Sequence, residues 1–192
     1  MLKYFAGVFL VLAWCLGLAS AQSGAAKFEY KLLATNRTTT MEKEMNQAAA
    51  GGYYFREVRS GETAFGGDEA VVVMERPSGA KAGRYSYQLL ATSKTSTMQK
   101  ELQTAGDRGF NFRGTTVFKK VIGKEVVVIL ERDGEATAQT WEFKLLATNR
   151  TGTMQKELVE ASREGYEFVG FSVGETAFGG SEVVSILRRA RN

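Results

Sequence analysis

A basic residue followed by hydroxyl side chains recurs three times in this 192-residue chain, each time where a strand is predicted to give way to a helix. The three pairs are Arg37 and Thr38, Lys94 and Thr95, and Arg150 and Thr151. The free N–H groups and the dipole of a helix N-terminus attract anions. Each turn is therefore a candidate site for a phosphate, a sulfate or a carboxylate. The alternative is ordinary turn formation and helix capping by Thr, Ser and Asn.

A glycine-rich loop is the second candidate. The sequence GETAFGG occurs at 61–67 and again at 174–180, with Phe65 and Phe178 in the middle of the two copies. Phe118 begins the shorter and more basic counterpart in the centre of the chain. These phenylalanines are candidate anchors for a protein partner, since loops often carry binding residues. The alternative is a plain hairpin connection, in which glycines supply positive φ and the rings fold back onto the core.

The composition excludes several kinds of enzyme. There is no histidine, and the single cysteine is Cys15. A Ser-His-Asp triad, a Cys-His dyad and a histidine-ligated zinc site are therefore excluded. No phosphate-binding glycine loop, metal cluster or nucleophile elbow is present, and Glu44, Glu101 and Glu157 recur as a solvated helix face would. We predict that the protein is not an enzyme and uses no cofactor or metal.

The N-terminal residues have the pattern of a secretory signal peptide. Lys3 precedes an apolar run at 4–18, and Ala-Ser-Ala at 19–21 is a cleavage site, so residues 1–21 are predicted to be removed. The run is shorter than the roughly 20 residues that span a bilayer, and we expect no stable membrane anchor after cleavage. The expected location is exported, in the periplasm or outside a bacterial cell. Cys15 leaves a lipoprotein as an alternative, which the bulky Trp14 disfavours.

The charge gives little indication of a partner. The chain carries 25 Lys and Arg against 21 Asp and Glu, a formal net charge of +4. This excess is too small and too dispersed to indicate nucleic-acid binding. We therefore predict no nucleic-acid partner.

The strand-to-helix turns and the glycine-rich loops belong to a sequence repeat that occurs three times. The residues KLLATNRTTTM at 31–41 reappear as QLLATSKTSTM at 88–98 and as KLLATNRTGTM at 144–154. Repetition at a period of this length indicates a tandem array. The predicted units are repeat 1 at 27–76, repeat 2 at 84–132 and repeat 3 at 141–189, joined by small polar linkers.

Each repeat reads as strand, helix, strand, strand. Tyr30 and Leu32 belong to an alternating apolar face of the first strand, which predicts that they are buried. The second strand of each repeat is expected to turn an aromatic pair inward, Phe168 being the last of these residues. The third strand is apolar on both faces and is predicted to be central. The helices are predicted to begin with capping boxes, Thr39 with Glu42 and Ser96 with Gln99, and to end at a glycine.

The fold class follows from this pattern. We predict an α+β protein of three tandem β-α-β-β repeats, with mainly antiparallel sheets and one helix per repeat packed on one face. A unit of about 50 residues is marginal alone, so the three are expected to pack together. Either the sheets join edge to edge, or the units close around a pseudo-threefold axis.

The repeat resembles a known bacterial family. The segments WEFK at 141–144, GYEFV at 165–169 and ILRR at 186–189 are similar to the domain-of-unknown-function family numbered 4177. The likeness extends over the three copies and implies the same β-α-β-β order. It does not extend to the Thr-rich turn or to the GETAFGG loop, and the family carries no activity to transfer.

Three functional interpretations follow. The first is an exported non-enzymatic scaffold for binding or assembly, with an unknown protein partner or a second copy of itself. The second is a binder of small anions at the Thr-rich turns. An enzyme of unknown class is the third.

Overall fold

The structure, a computed structural model, describes residues 27–63, 67–92, 94–119, 124–175 and 181–191. Three units follow one another with the same order of elements. Repeat 1 contains β1 (Phe28–Thr35), α1 (Thr38–Ala50), β2 (Tyr54–Thr63) and β3 (Gly67–Pro77). Repeat 2 contains β4 (Tyr85–Thr92), α2 (Thr95–Gly106), β5 (Asn111–Lys119) and β6 (Lys124–Asp133). Repeat 3 contains β7 (Thr140–Thr148), α3 (Thr151–Arg163), β8 (Glu167–Glu175) and β9 (Ser181–Arg191). The predicted α+β fold of three repeats is confirmed.

Each repeat forms its own three-stranded antiparallel sheet. The strand orders are β1-β3-β2, β4-β6-β5 and β7-β9-β8. The third strand of each repeat is central, as its apolar residues on both faces predict. The second strand carries a bulge in every copy, at Phe55/Glu57, Phe112/Gly114 and Phe168/Gly170. In β2 and β5 the bulge begins at the phenylalanine that meets the next repeat, and a bulge bends its strand.

One helix packs on one face of each sheet through an apolar stripe. Met41 and Met45 of α1 are fully buried, as are Met98 and Leu102 of α2. The three helices are followed by glycines in the left-handed region, with φ of 88° at Gly52, 82° at Gly109 and 84° at Gly165. This backbone conformation strains other residues and is the reason that glycine closes the helix in every copy.

The first two helices also cover the free edge of the first strand of the next repeat. Asn46 of α1 accepts a hydrogen bond from the Tyr87 N–H and donates one to the Tyr87 carbonyl, both at 2.9 Å. Glu42 accepts from the Leu89 N–H at 2.7 Å. At the second junction, Gln99 and Gln103 of α2 bond in the same way to the main chain of Trp141, Phe143 and Leu145 in β7.

This arrangement corrects two expectations. The sheets do not join edge to edge, since each of the described sheets has three strands and a helix covers the edge between them. A closed threefold ring is also not formed, because the described residues of α3 make no contact with β1 comparable to that of α1 with β4. The repeats form an open row in which helices alternate with sheets.

The capping-box prediction is wrong because the helices begin earlier than the boxes require. The helices begin one residue after Arg37 and Lys94, which sit at the N-cap with no side-chain capping bond. Glu42 and Gln99 therefore lie too far into the helix to form the predicted boxes, and both instead bond to the next repeat.

Sheets of neighbouring repeats also touch directly beside the bulges. A Cβ placed on Gly114 would lie 3.3 Å from the Phe55 ring, and one on Gly170 would lie 2.6 Å from the Phe112 ring. The Phe55 N–H, turned outward at the bulge, donates to the Tyr87 hydroxyl at 2.7 Å. Each phenylalanine thus packs onto a glycine of the following repeat, which allows the close approach.

Candidate binding surfaces

The three Thr-rich turns are held by a residue that sequence reasoning missed. Thr35, Thr92 and Thr148 end the first strands, and each hydroxyl accepts the N–H of the residue two positions later, at 3.2, 3.3 and 3.1 Å. This side-chain-to-main-chain bond is a common turn device for threonine. It fixes the turn and leaves the following basic side chain at the surface, so the turns are built identically in all repeats.

Carboxylates of the chain itself occupy the first two turns. The Thr38 hydroxyl donates to Glu125 of repeat 2 at 2.8 Å. The Thr95 hydroxyl donates to Glu182 of repeat 3 at 2.6 Å. A negative group beside the first turn of a helix is stabilised by the helix dipole. At these two candidate anion sites, a glutamate from the next repeat therefore takes the place of a free anion. Neither glutamate was singled out in the sequence.

The third turn has no such partner. Arg150 and Thr151 are exposed, and neither side chain makes a hydrogen bond or ion pair with any residue that the structure describes. The side chains of Arg37 and Lys94 are also exposed, and neither makes a hydrogen bond or ion pair with a described residue. The glutamates at the first two turns both come from the following repeat, and the described residues contain no repeat beyond α3.

The phenylalanine anchors divide into two groups. Phe65 and Phe178 lie outside the described residues. Phe118 is not a surface anchor, since it is 2% exposed and belongs to the core cluster around α1. The reason is that β5 continues to Lys119, so Phe118 lies on a strand face that packs against repeat 1 rather than in a loop.

Large exposed apolar side chains in the described part of the chain occur only in repeats 1 and 3. The exposed fractions are 63% for Tyr30, 68% for Leu32, 42% for Val159, 44% for Phe168, 52% for Phe171 and 45% for Val183. We call Tyr30 and Leu32 on β1 the N-terminal end face. We call the other four side chains, which lie on α3, β8 and β9, the C-terminal end face; Phe171 and Val183 of this set also line a groove with residues of β2 and β5.

The expectation that Tyr30, Leu32 and Phe168 are buried is therefore wrong. Their counterparts in repeat 2 are Tyr87, Leu89 and Phe112, all at least nine-tenths buried. Tyr87 and Leu89 belong to the core cluster around α1, and Phe112 packs onto Gly170 of repeat 3. The apolar pattern within one repeat thus reflects burial against a neighbouring repeat, and among the described residues repeats 1 and 3 each have a neighbour on one side only.

Two grooves lie between the repeats. A groove of about 540 Å³ lies along β2, β5 and β8, where the buried hydroxyls of Thr116 and Ser172 have no partner among the described residues. The second, of about 630 Å³, lies beside the linker between repeats 2 and 3. Its charged rim is paired within the chain, since Arg191 contacts Asp107 at 2.9 Å and Arg188 bonds to Asn111 and stacks over Trp141.

Tyrosine–carboxylate pairs stabilise the ends of the sheets. Tyr166 donates to Glu142 at 2.6 Å, and Arg189 donates to the other carboxylate oxygen at 3.0 Å. These two bonds hold the pKa of Glu142 below its ordinary value of 4.5. Burial, and then the hydrogen bond to Glu142, raise the pKa of Tyr166 to about 12. Burial likewise raises the pKa of Tyr87, which donates to Glu131 at 2.6 Å.

The described residues contain no group of three or more carboxylates that could hold a metal ion. None of the helices in the same residues is long and apolar enough to cross a membrane. The predicted signal peptide at 1–21 lies outside the described residues. Comparisons with protein-family models, with curated proteins and with solved structures find no match for this chain. The resemblance to family 4177 therefore stays a prediction.

Proposed function

We propose that the chain is an exported, non-enzymatic scaffold that binds a protein partner, or assembles, through its two end faces. The observation that supports this proposal is the confinement of large exposed apolar side chains to those faces. Contiguous apolar surface on a soluble protein commonly marks an interaction site. By contrast, Asn46 of α1 and Gln99 of α2 are already bonded to the next repeat.

The interface within the chain gives a second line of support. A strand with a free edge tends to pair with another chain unless something covers it. The chain covers β4 and β7 with helices, whereas β1 has a hydrogen-bonded neighbour on one side only among the described strands. A partner bound at β1 would cover its edge as α1 covers β4 and α2 covers β7.

Photo-crosslinking in the source cells tests the proposal. A photoreactive amino acid would replace Leu32 or Phe171 on the end faces, and Gln47 or Lys100 as exposed polar controls. The proposal expects adducts from the end-face positions, found outside the cytoplasm, and few from the controls. Equal labelling at all four positions, or none at the end faces, would refute it. We expect mass spectrometry of the same material to find a mature N-terminus at Gln22.

A second function is favoured by the contacts of the turns. Thr38 and Thr95 each bind a carboxylate, so the matching Thr151 turn is suited to an acidic ligand from another molecule. If the chain binds small anions at this turn, citrate or sulfate at low ionic strength should raise its melting temperature. The rise should disappear in Arg150→Ala and in Thr151→Val but persist in the control Arg163→Ala. The absence of a rise with any anion would exclude this function.

A further inference from the structure

We infer that the C-terminal end face of one copy binds the N-terminal end face of another, so that copies associate head to tail. The inference rests on the proposed function and names the partner as a second copy of this chain. Its basis is that the same junction occurs twice inside the molecule. Each end face carries the residues of one side of that junction, and its opposite side is not found among the described residues.

The N-terminal end face matches the receiving half of the internal junctions. Tyr30 and Leu32 occupy the positions of Tyr87 and Leu89, whose main-chain groups bind α1. β1 is an edge strand like β4, and its far edge pairs with no described strand. Tyr30 keeps the hydroxyl that Tyr87 uses to accept the Phe55 N–H. The edge that binds a helix inside the chain is therefore present and exposed in repeat 1.

The C-terminal end face matches the donating half. Gln155 on α3 takes the position of Glu42 and Gln99, and it is exposed. Phe168 takes the position of Phe55 and Phe112, the rings that pack onto the next repeat. Phe171 contacts the Phe168 ring with 4.7 Å between the ring centres, so the two present one apolar surface. Such aromatic clusters often dominate the binding energy of an interface.

Two positions depart from the internal pattern and weaken the junction between copies. Glu57 stands where repeats 2 and 3 have Gly114 and Gly170, so an incoming Phe168 would meet a side chain. Val159 stands where α1 and α2 have Asn46 and Gln103, and it cannot bond to a strand edge. We therefore expect association that is reversible and depends on concentration. A head-to-tail contact of this kind continues into chains or closes into a ring.

Two variants with one damaged face each provide the decisive experiment. Leu32→Glu places a charge on the N-terminal end face, and Phe168→Glu places one on the C-terminal end face. Both positions are exposed, and circular dichroism and melting temperature are expected to match the wild type. The mature wild-type chain should increase in mass with concentration in sedimentation equilibrium. Each variant alone should remain a monomer. An equimolar mixture should form a one-to-one dimer and nothing larger, because it has one intact face of each kind.

The repaired variant sharpens the test. Glu57→Gly with Val159→Gln restores the internal pattern and should tighten association by at least about tenfold. A wild-type chain that stays monomeric at all concentrations overturns the inference, whatever the repaired variant does. Failure of the two damaged variants to pair also overturns it, since the intact C-terminal face of one would then not bind the intact N-terminal face of the other; self-association of either variant alone would show that like faces bind. Crosslinks from the end faces to a different protein would leave the proposed function intact while refuting self-association.

Discussion

The Asn46 side chain hydrogen-bonds both main-chain groups of Tyr87, taking the place that a neighbouring strand would occupy in a sheet. An amide has one acceptor and two donors, so it can match the N–H and the carbonyl of one edge residue. Gln103 repeats this with the Phe143 N–H and the Trp141 carbonyl. At both junctions between repeats, side-chain amides thus bond to the edge of the next strand within a contact that is otherwise apolar. They fix how each helix lies along the next strand.

Asn46→Ala tests the strength of this pairing. The substitution leaves the Tyr87 N–H and carbonyl without their partner in a part-buried site, which costs about 1–3 kcal/mol of unfolding free energy. Urea denaturation measures the loss. Gln47→Ala on the exposed side of the same helix is the control and should change stability by less than about 0.5 kcal/mol. Equal effects of the two changes would show that the edge bonds contribute nothing.

Tyr87→Phe isolates the hydroxyl at the same junction. The hydroxyl accepts from the buried Phe55 N–H and donates to the part-buried Glu131, so its removal leaves the Phe55 N–H without this partner, while the Glu131 carboxylate keeps its contact with Arg113. We expect a loss of about 1–3 kcal/mol in unfolding free energy. The ring itself fits, because Phe143 holds the equivalent position in repeat 3. Tyr30→Phe makes the same change at the exposed counterpart and should be neutral, and a comparable loss there would contradict the assigned contacts.

Gly106→Ala should destabilise the protein although it replaces glycine within a helix. A Cβ at this position would overlap the Trp141 carbonyl oxygen and lie 3.0 Å from the Phe143 ring. Such overpacking costs about 1–3 kcal/mol. Gly152→Ala in α3, where a Cβ meets nothing within 4 Å, should stabilise by up to about 1 kcal/mol. Opposite signs in thermal melts confirm the close approach of α2 to β7, and a gain at both positions would exclude it.

Most of the fold was predictable because the elements depend on local patterns. The alternation in the first strands, the Met and Leu stripe on the helices and the glycines at 52, 109 and 165 gave the correct elements. The packing between repeats was not predictable, since the pattern of one repeat does not say what lies beyond it. Glu42 and Gln99 illustrate this, because each fits a capping box by spacing yet bonds to a strand about 46 residues away.

The candidate sites show the same limit. The sequence identifies Thr38 and Thr95 as groups suited to an anion, but their partners Glu125 and Glu182 lie 87 residues further along the chain. Comparing the repeats could have found them, because each partner stands at the same position of its repeat. Tyr30 and Phe168 were expected in the core because nothing in the residue types distinguishes a terminal repeat from an internal one.

Glu142→Gln should alter how stability depends on pH. Tyr166 and Arg189 hold the pKa of Glu142 below 4.5, so the folded state favours the charged carboxylate. Its contribution to stability is then complete above pH 4.5 and is lost as the pH falls through the lower folded-state pKa. The difference in unfolding free energy between wild type and Glu142→Gln should therefore be largest near neutral pH and shrink below pH 4.5. Urea denaturation at several pH values measures this difference. The exposed Glu160→Gln is the control, and a difference for Glu142→Gln that stays constant with pH would show that the Tyr166 and Arg189 bonds do not favour the charged form.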